Sequence, residues 1–162
     1  MLKSVNMYYK KSDSVNKGYS GLIYDEIKHN NFITDSYSFI RLNNNNSKDL
    51  KRINDIKEAY GSASDRVKDT IVKYYENNVN GGFNILVKAF KDIKNDEITV
   101  DRGMKLIYIP DHDVYYDYNK IKRILNISDS KNAGLFISKE NDKFLCITTK
   151  NSIAYLLCCK SY

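Results

Sequence analysis

The stretch SDRVKDTIVKYYENNVNGGFNILVKAFKDIKNDEITVDRGMKLIYIP, Ser64 to Pro110, decides how the rest of the chain is read. In its first part Val67, Ile71, Tyr74 and Tyr75 fall at i, i+4, i+7 and i+8, the spacing of one helical face. Ser62 or Ser64 can accept the orphan amide bonds of that helix's first turn. Asn77-Asn78 and Gly81-Gly82 tolerate left-handed φ and so supply the stop. Phe83, Leu86, Val87, Phe90 and Ile93 then recur at i, i+3, i+4, i+7 and i+10, with Asn84, Lys88, Lys91 and Lys94 mostly off that face. The spacing predicts a second amphipathic helix over Phe83 to Lys94, with Phe83, Leu86, Val87 and Phe90 in the core. From Ile98 the rhythm changes. Ile98, Val100, Met104, Leu106 and Tyr108 approximate a period of two, and Asp101-Arg102-Gly103 marks the turn of a β-hairpin.

Upstream, Leu22, Ile23 and Ile27 in SGLIYDEIKHNN are spaced for a short helix from Ser20 to Asn31, and ITDSYSFIRL, Ile33 to Leu42, alternates as a strand. Four asparagines, Asn43 to Asn46, mark a loop, after which Ser47 caps a helix through KDLKRINDIKEAY that ends at Gly61. Residues 1–19 read as an irregular arm. Downstream, Pro110 and Asp111-His112-Asp113 break the hairpin strand, and Tyr118, Ile121, Ile124 and Leu125 predict a helix of about three turns. Ala133 to Ser138, Lys143 to Thr148 and Ser152 to Lys160 are three apolar strand patterns separated by turn formers. The expected fold is a single α+β domain over residues 1–162. It has a helical N-terminal half packed on a mainly antiparallel sheet, made of the hairpin and a three-stranded C-terminal meander.

A chain of 162 residues can bury a core without disulfides or metals, and its 42% hydrophobic and 28% charged content is globular rather than disordered. The 14 Tyr against 6 Phe and no Trp, with one Pro, seven Gly and abundant Lys, Asn and Ile, is the residue usage of an A/T-rich coding sequence. That bias also inflates the net charge of +6, so attraction to nucleic acid or to acidic proteins is permitted by the charge without being demanded by it. Cys146, Cys158 and Cys159 lie in apolar strand patterns without a CxxC motif, which suggests buried free thiols of a reducing cytoplasm rather than metal ligands. No run approaches the roughly 20 apolar residues of a membrane span, so no membrane partner is expected.

The helix, helix, helix, hairpin order expected for residues 47–109 is that of a winged-helix DNA-binding unit. In that reading Phe83 to Lys94 is the recognition helix. Asn84, Lys88 and Lys91 face DNA, where Asn can pair with adenine and Lys can reach guanine or phosphate, and Arg102 at the hairpin tip touches the backbone. Asp92, Asp96 and Asp101 dilute this basic face, and a plain helical hairpin with a solvated lysine face explains the same residues. TVDRGMKLIYI also resembles the arginine strand of ADP-ribosyltransferases through Arg102-Gly103, with Phe136-Ile137-Ser138 set against that family's Ser-Thr-Ser strand. The resemblance implies a catalytic Glu beyond the second strand. Only Glu140 follows Glu97, and Asp101 and Lys139 stand where the family has an aromatic residue and a Thr. Transferase chemistry would then lack the group that stabilises its transition state.

Asp111-His112-Asp113 reads as a solvated turn, since adjacent residues rarely converge on one ion, and His29 suits a helix C-terminus. The tyrosine clusters are more distinctive. Tyr115, Tyr116 and Tyr118, close to lysines, can stack on bases or anchor a protein interface, with one ring of each doublet in the core and the other outside. Taken together, the residues suggest a small binding protein with no enzymatic chemistry and no cofactor, of a virus, phage or mobile element. Its expected partner is a host protein or nucleic acid in the cytoplasm, and a homodimer is compatible with these patterns. A winged-helix regulator is the alternative, and an ADP-ribosyltransferase-like or other nucleotide-processing enzyme a more distant one.

Overall fold

The computed structural model describes residues 21–25, 30–34, 37–42, 54, 58, 65–128, 130–138, 143–150 and 152–159. The expected N-terminal arm, His29, the capping serines Ser62 and Ser64 and most of the helix from Ser47 lie outside these. Of that helix Asn54 and Glu58 are described, both helical and exposed, one turn apart. The chain separates into two compact units between Asn80 and Gly81.

The first unit is not the helical half that periodicity suggests. Its described residues form an antiparallel meander of β1 (Gly21–Asp25), β2 (Asn30–Thr34) and β3 (Ser38–Leu42), followed by α1 (Asp65–Val79). The expected helix over Ser20 to Asn31 is therefore a hairpin, with Leu22 opposite Ile33 and Ile23 opposite Phe32. The single strand expected over Ile33 to Leu42 is two, which face each other through Ile33 and Ile40. Leu22-Ile23-Tyr24 is a run of residues that fit a pleated surface. Pairing with β2 across the chain decides the matter where three apolar positions cannot. The helix α1 is as expected, since Val67, Ile71 and Tyr75 are buried and Tyr74 half-buried. It ends where Gly81 takes a φ of 82°, open to a residue without a Cβ. The helix packs on β1, and Tyr75 meets Phe32 edge-on at 5.5 Å between ring centroids.

In the second unit, β4 (Ile85–Ala89), β8 (Gly134–Ile137), β9 (Phe144–Thr148) and β10 (Ile153–Leu157) are paired antiparallel in the order β4-β8-β9-β10. A second antiparallel sheet runs β5 (Ile98–Asp101), β6 (Met104–Ile109) and β7 (Val114–Asp117). The C-terminal meander and the hairpin form at the expected residues, but the hairpin is not part of the meander's sheet as expected: it pairs with the additional strand β7 in a sheet of its own. Helix α2 (Tyr118–Ile127) buries Ile121, Ile124, Leu125 and Ile127 and packs on β6 and β10. The Asp117 side chain starts it by accepting the backbone N–H bonds of Asn119 at 2.8 Å and Lys120 at 3.1 Å.

The largest correction concerns Phe83 to Lys94, which is no helix. It contains strand β4 and a single 3-10 turn at Phe90–Asp92, and a second such turn, Asn95–Glu97, follows directly after it. Leu86 faces Phe136 and Lys88 faces Leu135, so one residue bulges out of the β4 edge between them. Phe83 is in the core as expected, against Tyr155 at 5.6 Å, but Val87 and Phe90 are half-buried and Leu86 is 57% exposed. Truncating Phe90 therefore opens no enclosed core cavity. Among the described residues no helix is long and apolar enough to cross a membrane.

The hairpin tip carries a small strain. Arg102 and Gly103 form a two-residue turn with φ of 46° and 79°, the positive pair that matches the twist of the flanking strands. Glycine accepts this conformation and arginine resists it. Arg102→Asn is expected to raise stability by about 0.5 kcal/mol, read from the urea midpoint. A lower midpoint would mean that the contacts of the Arg102 side chain outweigh the backbone preference.

Candidate functional site

The sequence candidates do not gather on one helical face. Asn84 is exposed in the loop before β4, Lys88 lies on β4, Lys91 is exposed on the 3-10 turn beyond it, and Arg102 is exposed at the hairpin tip. The recognition helix of the winged-helix reading is absent, and its DNA-facing set is dispersed with it. Arg102 occupies a turn rather than a strand, which removes the placement that the ADP-ribosyltransferase resemblance implies.

Two groupings take their place. The first is a cleft of about 250 Å3 between the edge of β4 and the end of β6. Ile85, Val87, Ile93, Ile107, Ile109 and Ile137 form its walls, and Lys88, Glu97, Tyr108, Asp111 and His112 are its polar groups. Lys88 donates to Glu97 Oε1, while Glu97 Oε2 accepts the Lys94 backbone N–H at 2.8 Å. These bonds, that from Lys88 first, hold the Glu97 carboxyl below its ordinary pKa. The cleft therefore offers an apolar volume bordered by the Lys88–Glu97 ion pair and by the side chains of Tyr108, Asp111 and His112.

The depressed Glu97 carboxyl fixes the sign of a pH effect. The pair contributes stability above the ordinary carboxylate range, and that contribution is lost as pH falls through the lowered folded value. Wild type should therefore exceed Glu97→Gln in urea midpoint at neutral pH, and the two should converge in acid. A difference that is constant with pH would rule out the charge on Glu97 as its source.

The second grouping is an aromatic and basic face where α2 begins. Phe90 and Tyr118, both half-buried, stack at 5.4 Å with their planes 21° apart, and the Lys122 ammonium lies 5.5 Å from the Tyr118 ring centroid. The backbone N–H of Lys91 donates to Asn132 Oδ1 at 3.0 Å and that of Phe90 to the Ala133 carbonyl at 2.8 Å. Those two bonds tie the end of β4 to the loop that carries the exposed Lys131. Helix α2 itself bears Lys120, Lys122 and Arg123 and no acidic residue. The neighbouring carboxylate of Asp117 caps the helix and lies 4.0 Å from Arg123.

Of the tyrosine cluster, Tyr116 is fully buried and belongs to the core, so it cannot serve as an exposed anchor. The Tyr115 ring lies tilted by 30° against that of Tyr108, with centroids 4.7 Å apart, and the Tyr108 hydroxyl donates to Asp113 Oδ1 at 3.0 Å, which raises the phenol's pKa. Tyr118 is the member that reaches a charged surface. Sequence reasoning missed Phe90 because it assigned the ring to a helix core, and it missed Glu97 altogether. The capping pattern of Asp117 before an apolar helix was the available signal for where Tyr118 would stand. The cysteines divide as well. Cys146 is buried, and burial pushes its thiol up to about 12, whereas Cys158 and Cys159 are half-buried rather than enclosed. Among the described residues no group of three His, Cys, Asp or Glu is placed to hold a metal ion. No family model matches the chain, nor does any curated protein or solved structure.

Proposed function

We propose that the chain is a small non-enzymatic binding protein of a virus, phage or mobile element that engages a host macromolecule through the face around Phe90 and Tyr118. The observation that carries this reading is the stacked, half-buried pair of rings bordered by Lys91 and Lys122. Half-buried aromatic rings set among flexible cations suit recognition, since the rings supply contact area at low entropic cost and the ammonium groups supply complementary charge.

The test is paired affinity capture from a host extract, with wild type and a Tyr118→Ala/Lys122→Glu double variant as baits at matched folded concentration. The expected result is a protein or nucleic acid retained by wild type and lost by the variant. Retention of the same material by both baits would overturn this face as the binding surface.

A further inference from the structure

We infer that the macromolecule held by this face is a single-stranded nucleic acid, a step that rests on the binding reading above. Three features lead there. The charge on the face is mostly positive: α2 has three cations and no acid, the stack of Phe90 on Tyr118 sets Lys91 near its first turn, and the bonds to Asn132 and Ala133 tie Lys91 to the loop that carries Lys131. Asp92 is the exposed acid on the same turn as Lys91, whereas Asp117 is occupied by the helix cap and Arg123. A phosphate backbone is the complementary partner of such a set.

The rings then select among polyanions. Every base has a π-face, and an aromatic side chain near a basic track is the platform on which single strands stack without sequence preference. Phe90 stacks on the Tyr118 ring, and the ammonium of Lys122 lies 5.5 Å from the ring centroid, at the end of a flexible arm on an exposed residue. A base can take that place while Lys122 swings to the adjoining phosphate, so that one movement supplies both contacts. Duplex nucleic acid cannot do this, because its bases are already stacked on one another.

Fluorescence anisotropy with labelled oligo(dT) and oligo(U) of about 16 nucleotides, and with a duplex of equal length, tests the inference across a salt series. Both single strands are expected to bind more tightly than the duplex. Tyr118→Ala should weaken single-strand binding about 5- to 160-fold, as loss of one stacked base predicts, and Tyr118→Phe should restore it. Lys122→Ala, which leaves the helix core intact, should flatten the slope of log affinity against log salt by about 0.7, the loss of one phosphate contact on a single strand.

Equal affinity for duplex and single strand, or an unchanged affinity in a folded Tyr118→Ala protein, would overturn the inference in favour of charge alone. Failure of either oligonucleotide to bind, with a protein still captured in a Tyr118- and Lys122-dependent way, would also overturn it. In that case the partner is a protein, and the binding reading stands.

Discussion

Tyr116→Ala is expected to cost about 3–5 kcal/mol of folding stability, the range for truncating a large enclosed aromatic residue. Tyr116 is 0% exposed and is among the largest fully buried side chains. It lies on β7 directly opposite the buried Ile107 of β6, next to the position from which Asp117 starts α2. Removing the ring leaves a void that strand and helix can fill only by giving up their register. The measurement is a urea or thermal melt, and a midpoint close to wild type would mean that Tyr116 is not enclosed. Tyr116→Phe separates the two parts of the side chain. It keeps the ring and should recover most of the loss, with the remainder assigned to the hydroxyl. An interface anchor would behave otherwise, losing binding while leaving the melt unchanged.

How much of this was legible follows from which forces act locally. Helices α1 and α2 were readable because their apolar residues repeat at helical spacing and their ends carry local signals, Gly81 for one and Asp117 for the other. The turn at Arg102-Gly103 and the meander β8-β9-β10 were readable because turn formers punctuate β-rich runs. What failed was the period of β4. Its bulge between Leu86 and Lys88 and the 3-10 turn at Phe90 break the alternation of an edge strand into steps of three and four, which imitate a helix. Pairing with β8, some 50 residues later in the chain, overrides that local pattern, and no window on the sequence contains it. The candidate site failed with it. Asn84, Lys88 and Lys91 formed a face only if the segment was helical, whereas the stack of Phe90 on Tyr118 joins two residues whose proximity depends on the same long-range pairing.

Phe32→Ala should have an effect of similar size in the first unit, again about 3–5 kcal/mol. Phe32 is 0% exposed on the central strand of the β1-β2-β3 meander, between Ile23 and Arg41. Its ring meets Tyr75 of α1 edge-on, with the planes 70° apart. Tyr75 in turn accepts a hydrogen bond on its hydroxyl from Arg41 Nη1 at 3.2 Å, and the Arg41 guanidinium lies 6.0 Å from the Tyr75 ring centroid. Deleting the Phe32 ring removes the apolar support beneath this arrangement, so α1 should lose protection from hydrogen exchange before the global transition. Tyr75→Ala in the same background should then cost less than it does in wild type, because the two rings share one contact. Additive losses would show that they act separately. The expectation of a single domain makes a further demand, since Phe32→Ala and Tyr116→Ala must then lower the midpoint of one shared transition. A melt in which Phe32→Ala moves only one of two steps, and Tyr116→Ala only the other, would divide the chain into two folding units at Asn80 and Gly81.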